Sequence, residues 1–185
     1  IYGEYIIDKD EGPRVPDIEK IKSLSPAFME NGTITAATSS PVSIGASAIL
    51  ITSRTYAEKS SIQIKAAIKG RSIVGVDWKR MGMGPLPATK NVLKSLDMTI
   101  NDIDVIELNE AFSAQALYVI KEGGWDASKI NLNGGAIALG HPLGCSGARI
   151  ITTLLSVMEQ KNSRTGLATM CIGTGQGIAT ILQRD

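Results

Sequence analysis

The stretch NLNGGAIALGHPLGCSGAR, Asn131 to Arg149, holds the chain's only histidine, one of its two cysteines and five glycines. Pro142 biases His141 toward extended backbone, and the flanking glycines allow another chain or a long ligand to come close. A helix is predicted to begin near Cys145, where free N–H groups favour negative charge. We interpret the stretch as a ligand-facing loop whose imidazole acts as base or oxyanion donor. The alternative is a loop histidine that is hydrogen-bonded for structure.

Strands and helices alternate on both sides of this loop. Residues 144–161 have a helical pattern whose apolar side carries Ile151, Leu154, Leu155 and Met158. Upstream, DIDVIEL (102–108) ends in a predicted β-branched strand, NEAFSAQALYVIKE (109–122) predicts a helix and ASKINLNGG another short strand. The chain ends as strand, glycine turn, strand. This order predicts an α/β layered fold with a mixed sheet flanked by helices.

The first half of the chain is less regular. Residues 32–53 predict a turn-rich stretch, a short buried helix around Gly45 and a strand at 48–53. Residues 58–66 are interpreted as a linker or helix start, and RSIVGVDW (71–78) as a strand. MGMGPLPATK (81–90) is a glycine and proline loop, with Pro87 at the start of a helix.

Composition excludes several classes of function. Hydrophobic residues make up 43% of the 185 residues and charged residues 20%, which favours a packed core over disorder. The formal net charge is +1, so neither nucleic acid nor an anionic membrane is expected as a partner. No apolar run reaches the length of a membrane span. One histidine and two distant cysteines give no zinc spacing and favour a reducing, intracellular setting.

Three further positions carry polar chemistry at predicted strand ends. Cys171 precedes GTGQG, whose backbone N–H groups could point at a substrate oxygen, although a buried core cysteine is the commoner fate. A dinucleotide fingerprint is rejected there, because a β-prone run follows instead of a helix. Asn109 could orient a water or donate to an oxyanion, or simply cap a helix. Ser40 in TSSP could contact a ligand, or be an ordinary turn serine.

Taken together, NEAF (109–112), NxNGGAIALGHPxGxSGxR (131–149) and CxGxGxG (171–177) resemble the motifs of the thiolase family. The resemblance covers nearly the whole chain, and CSGARI and GLATMCIGTGQGIAT indicate the bacterial 3-ketoacyl-CoA branch, the β subunits of fatty-acid oxidation complexes. It implies the thiolase layered α/β fold. Residues 1–57 would be the loop region and last elements of the N-terminal half, and residues 58–185 the C-terminal domain.

The resemblance implies cleavage of a 3-ketoacyl-CoA by CoA, giving acetyl-CoA and a shortened acyl-CoA. His141 would activate the nucleophilic cysteine of the N-terminal half, and Cys171 would move the proton at the acetyl α-carbon. One oxyanion hole would use His141 and a water held by Asn109, the other the backbone N–H of the nucleophilic cysteine and that of Gly173. Softer substrate-pocket positions carried over from the family are Phe28, Ala36, Ser40, Met81, Ala111 and Phe112.

CoA is expected as a substrate, with no cofactor and no metal. A homodimer of the full-length protein, an α subunit as partner and a cytoplasmic location are further expectations from the family. Two departures qualify them. No cysteine precedes Cys145, so we expect this polypeptide to be a C-terminal portion, inactive alone. Ile44 stands where the family usually has an aspartate, so we expect a weaker local structure there.

Two other classes of function stay open at this point. A Cys–His hydrolase would use Cys171 and His141 as nucleophile and base, and would show peptidase or amidase activity. A non-catalytic acyl-CoA-binding or dimer-forming fragment would bind CoA without turnover.

Overall fold

A computed structural model describes residues 6, 8–10 and 12–185, and four strands in it form one mixed sheet in the order β1-β4-β3-β2. The strands are β1 (Ala67–Gly75), β2 (Val105–Leu108), β3 (Thr165–Ile172) and β4 (Gln176–Gln183). β2 and β3 are parallel, whereas β4 pairs antiparallel with both β1 and β3. The predicted α/β class with a mixed sheet is confirmed.

Helices cover both faces of the sheet. The described α-helices are α1 (Ile18–Lys22), α2 (Arg54–Lys59), α3 (Pro85–Ser95), α4 (Ser113–Gly123), α5 (Ala136–Leu139) and α6 (Ser146–Gln160). Short 3-10 helices lie at Ala36–Thr38, Trp78–Met83, Ile100–Asp102 and Ala127–Lys129. None of the helices within the described ranges is both long and apolar enough to cross a bilayer.

The face under α6 has its own apolar cluster. The helix buries one stripe with the spacing i, i+4, i+7 and i+8, made of Ile150, Leu154, Val157 and Met158. This stripe packs on side chains of one face of the sheet, Val105, Ala168, Met170 and Leu182. The predicted apolar side of this helix also included Ile151 and Leu155. Both are only partly buried, so they lie at the edge of the observed stripe.

The opposite face packs against α3 and α4. Alternate residues of the central strands, such as Leu167 and Ile181, turn to this side and meet Val92 and Val119. The start of α3 approaches β4 so closely that a Cβ on Gly177 would overlap the backbone of Gly84. Glycine at both positions therefore lets the helix lie directly on the strand.

Several predicted boundaries need correction. β1 begins four residues before the predicted residue 71 and ends at Gly75, since 3-10 backbone follows at Trp78. The strand predicted at the end of 102–108 is confirmed as β2, Val105–Leu108, and Ile100–Asp102 before it is a 3-10 turn. The strand predicted within ASKINLNGG is reduced to one bridge, Ile130 to Ile106. The helix predicted at 109–122 begins at Ser113.

Two predictions for the first half are wrong. The structure has no helix around Gly45 and no strand at 48–53, and these residues lie extended and largely exposed. Leu50 and Ile51 are 74% and 71% exposed, and Ile44 is fully exposed. A strand needs a neighbour to hydrogen-bond, and no described strand pairs with this stretch. Residues 58–66 contain the end of α2 and then an extended link to β1.

Candidate active site

Asn109 is the residue after β2, at the carboxyl end of the parallel strand pair. Its backbone N–H donates to the Thr169 carbonyl of β3 at 3.0 Å, and its side chain is buried, with 1% exposed. Helix α4 begins four residues later, with Phe112 as its N-cap. The alternative that Asn109 only caps a helix is therefore wrong, and its amide is free to act in a site.

His141 reaches the same place from the loop between α5 and α6. Its backbone N–H donates to the Pro41 carbonyl at 3.2 Å, within a parallel bridge between Val42 and His141. The predicted extended backbone is thus realised by pairing with a short piece of the first half of the chain. The imidazole is buried, with 8% of the residue exposed.

The two side chains meet although 32 residues separate them in the chain: Asn109 Nδ2 lies 3.3 Å from His141 Nε2. On the other side of the ring, Nδ1 lies 2.6 Å from Ser146 Oγ, and that hydroxyl donates to the Pro142 carbonyl at 3.0 Å. Because the hydroxyl has one proton, Nδ1 must be the donor to Ser146. The network therefore leaves Nε2 unprotonated, with its lone pair accepting from Asn109 Nδ2 at 3.3 Å, and this nitrogen can act as a base.

Burial and charge keep this imidazole neutral. The pKa of His141 is lowered, first by desolvation of the buried ring and then by the positive charge of Arg149. A neutral ring with an unprotonated Nε2 can take a proton at neutral pH.

Cys171 lies near the end of β3, two residues beyond Thr169, to which Asn109 is hydrogen-bonded. Parallel strands end at one edge of a sheet, so the cysteine shares that edge with Asn109. The thiol is buried, and burial raises its pKa. No hydrogen bond among the described residues joins Cys171 to the Asn109–His141 pair. Gly173 follows in the exposed turn between β3 and β4, with a φ of 55°.

A second, half-buried network holds the segment after Asn109. The Glu110 carboxylate accepts from Asn131 Nδ2 at 3.0 Å and from the Ile137 backbone N–H at 3.1 Å. Asn131 also exchanges two hydrogen bonds of 2.9 Å with the backbone of Leu108. A side chain on Gly135 would collide with the Glu110 carboxylate. The NEAF and NxNGG motifs are therefore adjacent in the structure, because the Glu110 carboxylate of the first accepts hydrogen bonds from residues in and just after the second.

Most of the predicted pocket positions form one cluster beside the Asn109 segment. Ser40 donates from its backbone N–H and its Oγ to the Ala111 carbonyl, at 3.0 and 3.2 Å. The ring of Phe28 stacks edge-on against Phe112, with centroids 6.1 Å apart. Ala36 begins the 3-10 helix that leads into this region. Met81 lies apart, half-buried in the 3-10 helix before α3, and no described hydrogen bond or ring contact links it to the cluster.

Sequence reasoning missed three site residues. Ser146 orients the imidazole, Arg149 Nη2 lies 3.5 Å from Asn109 Oδ1, and Glu107 is a carboxyl with 2% exposure inside β2. Glu107 carried a usable signal, because a charge within an otherwise apolar strand is rarely left unpaired. Ser146 and Arg149 carried none beyond their place in the GxSGxR motif, since a helix register alone does not say what lies opposite.

The other cysteine belongs to the structural core. Cys145 is free and buried as the N-cap of α6, next to Pro142 and Gly45. Within the part of the chain that the structure describes, no cluster of histidine, cysteine and carboxylate side chains could hold a metal ion.

Comparison with known proteins identifies the family. The family model described as "Thiolase, C-terminal domain" matches residues 62–184, and "Thiolase, N-terminal domain" matches residues 2–55. A 3-ketoacyl-CoA thiolase of Vibrio vulnificus is 55% identical over an alignment that covers 97% of this chain and 48% of the relative. The chain thus spans about half the length of the curated relatives it matches.

Solved structures similar to this chain point to the same family. Human mitochondrial 3-ketoacyl-CoA thiolase, also solved in complex with CoA, superposes with a TM-score of 0.89 at 39% identity, over 95% of this chain and 45% of that one. Bacillus anthracis acetyl-CoA acetyltransferase gives a TM-score of 0.88 at 41% identity, with the same coverage. On its motifs, its fold and these matches, the chain belongs to the thiolase family.

Proposed function

We propose that this chain supplies the acid–base half of a 3-ketoacyl-CoA thiolase, which cleaves 3-ketoacyl-CoA with CoA in fatty-acid β-oxidation. The observation that carries the proposal is the buried contact of 3.3 Å between Asn109 Nδ2 and His141 Nε2, at the sheet edge where Cys171 lies near the end of β3. The relatives named 3-ketoacyl-CoA thiolase support the choice of reaction.

In this proposal His141 is the base. Its Nε2 takes the proton of a nucleophilic thiol supplied by the N-terminal half, and the thiolate attacks the 3-keto carbon. The imidazolium then donates from Nε2, together with a water held by Asn109, to the oxygen that becomes negative. Removing one such donor typically costs about 10²–10³ in rate.

Cys171 handles the carbon proton. When the bond between C2 and C3 breaks, its electron pair goes to the acetyl-CoA enolate, and the Cys171 thiol gives C2 its proton. A thiol whose pKa is raised by burial is protonated at neutral pH, as this step requires. Gly173 would donate its backbone N–H to the thioester oxygen of the acyl-enzyme. The Cys171 thiolate then takes the proton of CoA, whose sulfur attacks the acyl-enzyme; the shortened acyl-CoA is released, and the departing thiolate takes its proton back from the His141 imidazolium.

The same raised pKa disfavours the hydrolase alternative. A Cys–His hydrolase needs a thiolate at rest, normally through an ion pair with histidine. Here the thiol is desolvated, the imidazole is neutral and no hydrogen bond between them is described.

The remaining family expectations are proposals as well. Phe28, Ala36, Ser40, Met81, Ala111 and Phe112 would line the acyl-CoA pocket. Residues 1–5, 7 and 11 of the predicted 1–57 segment lie outside the described residues. A domain boundary between residues 57 and 58 would fall inside α2. We further propose a homodimer, an α subunit as partner and a cytoplasmic location. Two free, buried cysteines fit a reducing compartment.

The test is a chimera in which this chain replaces the matching half of the Vibrio vulnificus relative. We expect thiolysis of acetoacetyl-CoA, followed by loss of the enolate absorbance. Cys171→Ser, His141→Ala and Asn109→Ala should each lower kcat by about 10²-fold or more. Cys145→Ser is the matched control, since that thiol is equally buried but lies at a helix cap.

Three results would contradict the proposal. The chimera could bind CoA without turnover, which favours the non-catalytic alternative. The 185-residue chain alone could hydrolyse amides, which favours the hydrolase. Cys145→Ser could cost as much as Cys171→Ser, which removes the assigned role of Cys171.

A further inference from the structure

Arg149 is an unusual arginine in this chain because its guanidinium is poorly paired. It lies in the second turn of α6, and Nε and Nη1 are buried with no hydrogen-bond partner in the described structure. Its one side-chain hydrogen bond runs from Nη2 to Asn109 Oδ1, at 3.5 Å. A buried guanidinium is costly unless it is paired, so its retention here needs a reason.

A buried carboxyl in β2, that of Glu107, interacts with the charge of Arg149. Glu107 is two residues before Asn109 and almost fully buried. Burial raises its pKa to about 7, and the positive charge of Arg149 acts in the opposite direction. The two side chains form no ion pair within 4 Å among those described, so Arg149 is left oriented toward Asn109.

The direction of the Asn109 amide decides what the imidazole can do. With Oδ1 facing Arg149, Nδ2 faces His141 and donates to an unprotonated Nε2. If the amide were reversed, Oδ1 would face Nε2 and would favour a proton there. The ring could then no longer act as a base on that side.

We propose that Arg149 is a positioning residue that fixes the Asn109 amide and thereby, together with Ser146 on the other ring nitrogen, selects the His141 tautomer with an unprotonated Nε2. The ionised form of Glu107 attracts Arg149 through its charge, without a hydrogen bond between them in the described structure. The titratable groups on the elements that meet near the ring are Arg149 and Cys145 on and before α6, Glu107 and Glu110 on and after β2, and Cys171 on β3; of these, only Arg149 acts on the pKa of the ring through its charge. Glu110 is already engaged by Asn131 and the Ile137 N–H, which leaves Arg149 as the group that acts on the ring.

The catalytic purpose of this arrangement rests on the proposed function, but its test does not need turnover. His141 is the only histidine of the chain, so ¹⁵N NMR of the imidazole reports one ring without ambiguity. In the wild-type chain we expect the Nδ1–H tautomer at neutral pH and a pKa below the ordinary value. In Arg149→Gln the pKa should rise and the Nε2–H tautomer should become populated. Arg149→Lys, which keeps the charge, should restore both toward wild type.

Arg54→Gln is the matched control, because it removes one exposed arginine whose only described partner is Asp185. It should leave the ring unchanged. The proposal is overturned if folded Arg149→Gln shows the wild-type tautomer and pKa, or if Lys and Gln act alike. Should Arg149→Gln not fold, an Nε2–H tautomer in the wild-type chain still overturns it. A chimera without thiolysis would overturn the proposed function alone and would not alter these spectra.

Discussion

The chain contains two regions of similar apolar content and opposite packing. In the sheet domain, residues 62–185, every residue of β2 is buried, and all of β3 except its last residue, which is half-buried. In the N-terminal segment, residues 12–61, Val42 and Ile44 are 92% and 104% exposed, and Ala57 is the one buried apolar residue described. Apolar sequence therefore does not make a core by itself: the sheet domain has paired strands and longer helices to cover its side chains, whereas the N-terminal segment has two short α-helices, one 3-10 helix and no described strand.

The largest difference between the two regions is expected in the free energy of unfolding, when an apolar side chain of similar size is shortened to alanine in each. Leu154→Ala removes a fully buried side chain from the α6 stripe and should lower the free energy of unfolding by about 2–5 kcal/mol. Ile51→Ala, at a position 71% exposed, should change it by less than about 0.5 kcal/mol. Urea unfolding followed by circular dichroism measures both. Equal losses would show that the N-terminal segment is packed in solution and would break the comparison.

The buried carboxyl of Glu107 makes the stability of the sheet domain depend on pH, which gives a second test of the comparison. The pKa of Glu107 is raised from 4.5 to about 7, so its contribution to stability is complete below about pH 4.5 and is lost as the pH rises through about 7. At about 1.4 kcal/mol per pKa unit, the loss is about 3 kcal/mol. Glu107→Gln cannot ionise and should become more stable relative to wild type by about that amount between about pH 4.5 and pH 8.

Urea unfolding at several pH values compares the two proteins, and Glu30→Gln, at an exposed position of the N-terminal segment, is the control for the loss of one carboxyl. Parallel pH curves for wild type and Glu107→Gln would mean that the carboxyl is solvated in the folded state.

The smallest expected effect tests how closely α3 lies on β4. Gly177→Ala places a methyl group against the Gly84 backbone and should cost about 1–3 kcal/mol, because neither backbone can move without disturbing the sheet. Gly147→Ala, at an exposed position of α6 with open space around it, should be neutral or stabilise by up to about 1 kcal/mol. Thermal unfolding of both variants is the measurement. A neutral Gly177→Ala would contradict the close approach.

Sequence prediction of the fold succeeded where the pattern is local. The apolar spacing in 146–160 and the strand, turn, strand pattern at the C-terminus depend only on residues a few positions apart, and both elements occur in the structure. It failed at 48–53, where an apolar run typical of a strand has no described partner strand. A strand is completed by a neighbour from elsewhere in the chain, which a local pattern cannot supply.

The sequence by itself determined the family and the identities of the candidate residues, because the three motifs keep Asn109, His141, Cys171 and the glycines at characteristic spacings. Only the tertiary structure decided how they work together. It turned Nε2 of His141 toward Asn109, assigned Ser146 to the other ring nitrogen and set Arg149 against Asn109 Oδ1. The physical reason is that the direction of a hydrogen bond depends on which side chain lies opposite, and for Asn109 those partners are 32 and 40 residues away.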